Sequence, residues 1–346
     1  MKKRVGYFDI AKGIGIILVV IAHIEYMPLA LREYIVTFHM PAFFVISGML
    51  MNLTNERERP IKSLLIRKLK TIMLPYMVFS IVFPIIDIIR YAIAGKDMMF
   101  TFRQDIIAGI TMTGSSVLWF LPALFFSELI VLAIIKNLKK PVLFILSVLI
   151  PVAIWFLALV IRPLALPMWR TVFCSVLVLF GYILFPLIKK LSAYPLFLLP
   201  AALILFVILY FTGKANDIVD LHFILLGRKP LYYLNAMMGS VALIMLSVFM
   251  EKYVLSGING MLEFFGRHSL FIMVTHINFL ILYFAEKLAF AISGAVPRGK
   301  ELIFNITATV FTMLIETICI LIWERIKKYA IISLSGHTAA GNDNSR

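Results

Sequence analysis

Apolar residues in this chain fall in blocks of about twenty, the length a helix needs to cross the hydrocarbon of a bilayer, and short polar or basic stretches separate the blocks. No other feature constrains the fold as much. Backbone groups in lipid must satisfy their hydrogen bonds within the protein, so runs of this kind become helices. Reading the blocks against their breakers predicts about ten spans, near residues 8–27, 37–52, 72–94, 116–136, 141–161, 170–188, 193–212, 231–250, 267–290 and 301–323. The second is short enough to be tilted or partly re-entrant. Composition points the same way: 62% of residues are apolar and 15% charged, against roughly half and a quarter in soluble domains. The expected fold is all-α and polytopic, with no loop long enough to form a separate catalytic domain. Residues 331–346, ending in "SGHTAAGNDNSR", read as a disordered polar tail.

The net charge of +15 invites a nucleic-acid reading, but the basic residues cluster at the ends of apolar blocks, where topology and anionic lipid account for them. Placing the N-terminus in the cytoplasm puts about two thirds of the 33 lysines and arginines on the inner side. The bias predicts cytoplasmic termini and an even number of spans, and the expected location is the cell membrane. Cys174 and Cys319 sit inside apolar runs and suggest neither a disulfide framework nor a metal site. "MKKR" with its following apolar stretch imitates a secretory signal, yet Asp9 and Lys12 interrupt the run and no cleavage site follows.

The first span, "YFDIAKGIGIILVVIAHI", carries Asp9, Lys12 and His23. Each ionisable group near a membrane centre costs roughly 2.5–3.5 kcal/mol on insertion scales, so such residues mark function or buried partners. Lys12 and His23, eleven residues apart, share a helix face about 16 Å apart along the axis. Asp9 precedes Lys12 by three, a spacing at which opposite charges meet; the alternative is that both lie at the interface with Lys12 snorkelling. His39 opens the second span in "FHMPAFFVISGML", where it is an interfacial histidine or part of a polar pocket shared with His23. In "GRHSLFIMVTHINFL", Ser269 and His276 share a helix face, and His276 lies about 12 Å into the membrane, near the depth of His23. Trp119 in "WFLPALFFSE" is by default an interfacial anchor. Asp87, Glu128 and Glu316 each need a partner.

Taken together these segments resemble the acyltransferase-3 family of integral membrane O-acyltransferases, with the fucose 4-O-acetylase-like proteins the nearest branch. The family's first-helix pattern of a basic residue, ten residues and a histidine appears as Lys12 to His23. "FHMPAFFVISG", "WFLPALFF", "GRHSLFIMVTH" and the basic "LLIRKLKTIMLPY" match its later motifs in order, with Thr71 where relatives often carry another basic residue. The resemblance implies that residues 1–330 are one acyltransferase-3-type transmembrane domain. It implies an acyl-CoA, typically acetyl-CoA, as cytosolic donor substrate rather than a bound cofactor, and a hydroxyl of a cell-surface or lipid-linked glycan as acceptor. His23 would be the general base, or the carrier of a transient acyl group, with Asp9 and Lys12 organising the inner mouth. Arg67, Lys68 and Lys70 would draw in the phosphates of coenzyme A, unless that basic run serves topology alone. His39 and His276 would bind the acceptor or stabilise the developing oxyanion, and Ser269 and Trp119 would join them in substrate binding. No metal is expected, and neither the acceptor sugar nor the oligomeric state is specified. Two rival readings use the same buried residues: a transporter or flippase for a glycan intermediate, and an inert membrane partner of a glycan-synthesis complex.

Overall fold

The structure, a computed structural model, describes residues 5–94, 98–160, 166–293 and 301–340. They form fifteen α-helices joined by short turns. The first six are α1 (Gly6–His23), α2 (Leu29–Val36), α3 (His39–Leu53), α4 (Ile61–Lys68), α5 (Leu74–Ala94) and α6 (Met98–Ile110). Next come α7 (Phe120–Asn137), α8 (Lys140–Val160), α9 (Leu166–Leu191), α10 (Pro195–Lys214) and α11 (Lys229–Tyr253). The chain ends with α12 (Ser256–Arg267), α13 (Ser269–Thr275), α14 (Ile281–Ser293) and α15 (Glu301–Ala340). Among the described residues eight stretches are long and apolar enough to cross a membrane, so the protein is an all-α polytopic membrane protein. One isolated bridge, Asp220 to Leu225, is the sole β pairing among the described residues. Residues 341–346, the end of the polar tail, lie outside the described residues.

Three departures from the predicted spans bear on function. The stretch 267–290 is not one helix. It breaks after Thr275 and resumes at Ile281, with Leu280 in the left-handed region at φ 61° and the Leu282 N–H donating to the His276 carbonyl across the break at 2.8 Å. The second span is longer than 37–52, because α2 leads into α3 across Thr37 and Phe38 to give one crossing from Leu29 to Leu53. Helix α12, drawn from a stretch with no predicted span, packs along α1. Close crossings are made by glycine, as is usual where helix association relies on packing rather than on the hydrophobic effect. A side chain at Gly13 would run into the Leu262 carbonyl, and one at Gly266 into the Asp9 carbonyl, so α1 and α12 touch backbone to backbone. Gly48 and Gly181 do the same for α3 and α9. These crossings hold α1 and α3 rigidly in the centre, where nearly all of α3 is buried.

Candidate active site

Helix α1 carries the ionisable residues, and its two ends open onto two different cavities. At one end Lys12 Nζ pairs with Asp9 Oδ1 at 2.7 Å. At the other, His23 is the last helical residue, and the chain turns away into extended backbone at Ile24. That turn is fixed from both sides. Arg32 of α2 donates to the Ile24 carbonyl at 2.5 Å, satisfying a helix-end acceptor with a cation, and the Glu25 N–H donates to Glu286 of α14 at 2.8 Å.

His23, His39 and His276 converge. His23 and His276 meet edge to face, 5.2 Å between ring centres, and His39 lines the same cavity as His23. All three use Nδ1 identically, on the carbonyl four residues earlier: Val19 at 2.7 Å, Ile35 at 2.9 Å and Ile272 at 2.8 Å. A carbonyl only accepts, so Nδ1 carries the proton and Nε2 of the neutral ring keeps its lone pair. The rings differ in access. His39 is 5% exposed and His276 fully buried, with its Nε2 unpartnered, while His23 is exposed and faces the cavity. Of the three, His23 is the most exposed to that space. His276 sits at the break between α13 and α14, a place an unbroken helix would not provide.

The His23-side cavity has a volume of about 500 Å³. Its roof is made by the start of the Ser116–Asn137 span and by the α10–α11 connection. Trp119, which ends a short 3₁₀ turn from Ser116, stacks on His222 of the α10–α11 connection at 5.5 Å and 12°. Arg170, in the first turns of α9, lies over the Trp119 ring at 5.0 Å. It ties the α6–α7 and α10–α11 connections together by donating to the Thr113 carbonyl at 2.9 Å and the His222 carbonyl at 2.5 Å. His222 is held in place by Asp220, whose Oδ1 accepts its N–H at 2.8 Å. Burial, helped by the nearby Arg170 charge and opposed by Asp220, pushes the His222 imidazole down to about 4. The roof is therefore a stacked aromatic pair, Trp119 and His222, backed by the Arg170 guanidinium.

The Lys12-side cavity, about 440 Å³, is lined by Lys12, Ser47, Glu56, Arg67, Lys68, Thr71, Glu128 and Ser269. Lys68 lies between two carboxylates, Glu56 at 2.9 Å and Glu128 at 2.6 Å. Arg67 also pairs with Glu56, and Ser47 donates to Glu128. The Lys68 side chain is only 4% exposed, so its charge is consumed within the wall. Lys70 and Thr71 are exposed, within a π-helical turn, Leu69–Met73, that joins α4 to α5. Ser269 lines this cavity and not the one that holds His23 and His39. The two cavities share one lining residue, Met273. Phe43 of the first and Met40 of the second flank it on α3, as Phe120 and Trp119 do at the start of α7.

The three isolated acids have partners. Glu128 meets Lys68, Asp87 hydrogen-bonds Asp105, and Glu316 accepts from the Thr275 hydroxyl at 2.8 Å. His268 pairs with Glu324 at 2.8 Å. Among the described residues no cluster of His, Cys, Asp and Glu is arranged to hold a metal ion. Arg170, His222, Asp220, Arg32 and Glu56 all belong to the site, and none is marked by sequence pattern. Arg170 sits where hydropathy places a span boundary, and the others lie on connections or beside them. A family model described as an acyltransferase domain matches residues 5–324. No curated protein and no solved structure matches the chain.

Proposed function

The chain belongs to the acyltransferase-3 family, and we propose that it moves an acetyl or other short acyl group from acyl-CoA to a sugar hydroxyl, with His23 as general base. Donor and acceptor would occupy the Lys12-side and His23-side cavities respectively. The observation that carries this reading is the tautomer and exposure of His23. Its Nδ1–H is spent on Val19, and its bare Nε2 faces a cavity that meets the donor-side cavity at Met273. A sugar hydroxyl is too weak an acid to attack a thioester unaided, and a placed imidazole typically contributes 10²–10⁴-fold. The hydroxyl oxygen bonds to the thioester carbonyl carbon as Nε2 takes its proton. The carbon–sulfur bond then breaks, and the proton passes to the departing thiolate.

Lys12 lies about 16 Å from His23 along α1, too far to act at the reacting carbonyl, and we assign it to the donor's polar length. Arg67 and Lys68 brace that cavity through Glu56, and exposed Lys70 is the one left to meet phosphate at its mouth. With acyl-CoA as donor, the Lys12 side faces the cytoplasm, as the charge bias also requires, and the acceptor approaches from outside the cell membrane. The motif match favours an acceptor like that of the fucose 4-O-acetylase-like branch. Two cavities in series are also what a translocation path needs, so the test must separate the two functions. Purified protein is incubated with [¹⁴C]acetyl-CoA and envelope glycan from cells lacking it. Label should enter the glycan, and His23→Ala should abolish transfer while retaining acetyl-CoA binding. Wild-type protein that neither binds nor consumes acetyl-CoA is a transporter or a scaffold instead.

A further inference from the structure

Arg170 is one of the largest fully buried side chains of the protein, 1% exposed, yet its charge is not matched. Its two terminal nitrogens are spent on neutral carbonyls, Thr113 and His222. Its Nε–H has no hydrogen-bond partner, and among the described residues no carboxylate lies within ion-pairing distance of it. Asp220, the carboxylate that acts on it electrostatically, has turned its Oδ1 to the backbone of His222 and Phe223. Lys68 on the other side of the membrane shows how this protein treats a buried cation of the wall: it brackets it with two carboxylates. A buried guanidinium left without a counter-charge is costly, and its fork suits a phosphate.

Arg170 also ends a groove of about 430 Å³ between α7 and α9. Apart from Arg170 and two threonines the lining is apolar, with Pro122, Phe126, Leu129 and Ile130 on one wall and Met168 and Val172 on the other. Met168 is 71% exposed, so the groove faces hydrocarbon. The far side of the guanidinium is the roof of the His23-side cavity, through Trp119 and His222. One residue thus joins a lipid-facing groove to the cavity of the proposed base.

We infer that the groove and Arg170 form a binding site for the lipid anchor of the acceptor, a sugar carried on a lipid phosphate. The hydrocarbon lies between α7 and α9, the phosphate meets Arg170, and the sugar next to it passes under Trp119 and His222 towards His23. This rests on the acyl-transfer reading and selects, within it, a lipid-linked acceptor over a soluble glycan. Charge complementarity argues for the phosphate, and continuity with the His23-side cavity argues for the acceptor's own anchor over an ordinary membrane phospholipid.

The test is binding of decaprenyl phosphate to the full chain in phosphatidylcholine nanodiscs, followed by native mass spectrometry. Wild-type protein should bind it saturably, and decaprenol, which lacks the phosphate, at least about tenfold more weakly, the order expected for a charge-assisted contact. Arg170→Gln should lose at least about tenfold in affinity and Arg170→Lys less. Phe126→Trp, which fills the groove without touching the roof, should lose binding while keeping the thermal midpoint, so the result survives if Arg170→Gln does not fold. Equal binding of decaprenol, or of decaprenyl phosphate by both Arg170→Gln and Phe126→Trp, overturns the site. Equal competition by phosphatidylglycerol overturns the anchor assignment in favour of a structural phospholipid. Acetylation of lipid-free glycan as efficiently as of lipid-linked glycan also overturns it, and leaves the acyltransferase reading standing. Arg170-dependent binding of decaprenyl phosphate with no acetyl transfer to any acceptor upholds the lipid-phosphate site and sinks the acyl-transfer reading.

Discussion

Replacing Lys68 with methionine tests whether the donor-side wall is held by charge or only by packing. The side chains are of similar length, so the apolar stem is kept and the ammonium alone is lost. In the wild type the ammonium lies 2.9 Å from Glu56 and 2.6 Å from Glu128, with all three side chains at most 9% exposed. After substitution Glu56 still has Arg67, while Glu128 has only the Ser47 hydroxyl. Removing one member of a buried pair strands the other and costs about 3–5 kcal/mol. The loss should be concentrated at Glu128, so neutralising that carboxylate as well should recover most of it.

Lys68→Met is therefore expected to destabilise by about 3–5 kcal/mol. Lys68→Met/Glu128→Gln should cost no more than about 1–2 kcal/mol, since the introduced amide oxygen can still accept from Ser47. The coupling in the double-mutant cycle should be at least about 2 kcal/mol and favourable to the wild-type pair. Reversible unfolding in mixed micelles, titrated with a denaturing detergent, measures all four corners. Lys68→Met within about 0.5 kcal/mol of wild type, the range of an ordinary surface change, would refute the reasoning, as would additivity in the cycle. The double variant, being folded, also separates support from contact with the donor: if Lys68 only braces the wall, its KM for acetyl-CoA stays within about threefold of wild type, whereas a direct phosphate contact is worth tenfold or more.

Met273→Trp should fill the junction of the two cavities, lowering kcat of transfer by at least about tenfold with acetyl-CoA affinity preserved; normal turnover would mean the acyl group takes another route. Lys12→Arg should retain more activity than Lys12→Ala, because the cation beside Asp9 is what the site keeps and its shape matters less; the reverse order would remove the electrostatic role. His222 carries a sign that can be checked. Its imidazole is lowered to about 4 from an ordinary 6.5, so the folded protein binds fewer protons than the unfolded chain between those values. Its contribution to stability is fully present above 6.5 and lost as pH falls towards 4. His222→Phe keeps a ring against Trp119 and removes the titration, so wild type should lose stability relative to His222→Phe between about pH 7 and pH 5. A difference that stays constant with pH would show that the imidazole is not held neutral.

The parts legible in the sequence are those set by one helix at a time. Asp9, Lys12 and His23 obey a 3.6-residue period on α1, so their shared face and the 2.7 Å pair follow from spacing alone. The break at His276 does not, because Thr275, His276 and Asn278 only briefly interrupt the apolar run "LFIMVTHINFL", and hydropathy averaged over a span's length still reads it as one crossing. The break depends on how α13 and α14 are tied to other elements, as through Glu286 to the end of α1. Lys68 looks like one more cation of an inner loop until packing brings α7 against it, sixty residues on, and turns it from a surface charge into a wall. Arg170 is the opposite case. It counts as an outer cation at the edge of a span, but two connections fold over it and supply carbonyls where Lys68 receives carboxylates. Sequence position makes these two cations equivalent, and tertiary packing gives one its counter-charges and leaves the other without them. On the proposed reading, a charge-balanced wall would let an anionic donor pass without trapping it, and an unmatched charge would hold an anion in place. If donor and acceptor are both phosphate-bearing molecules, that asymmetry would anchor the acceptor at Arg170 and leave the donor free to come and go.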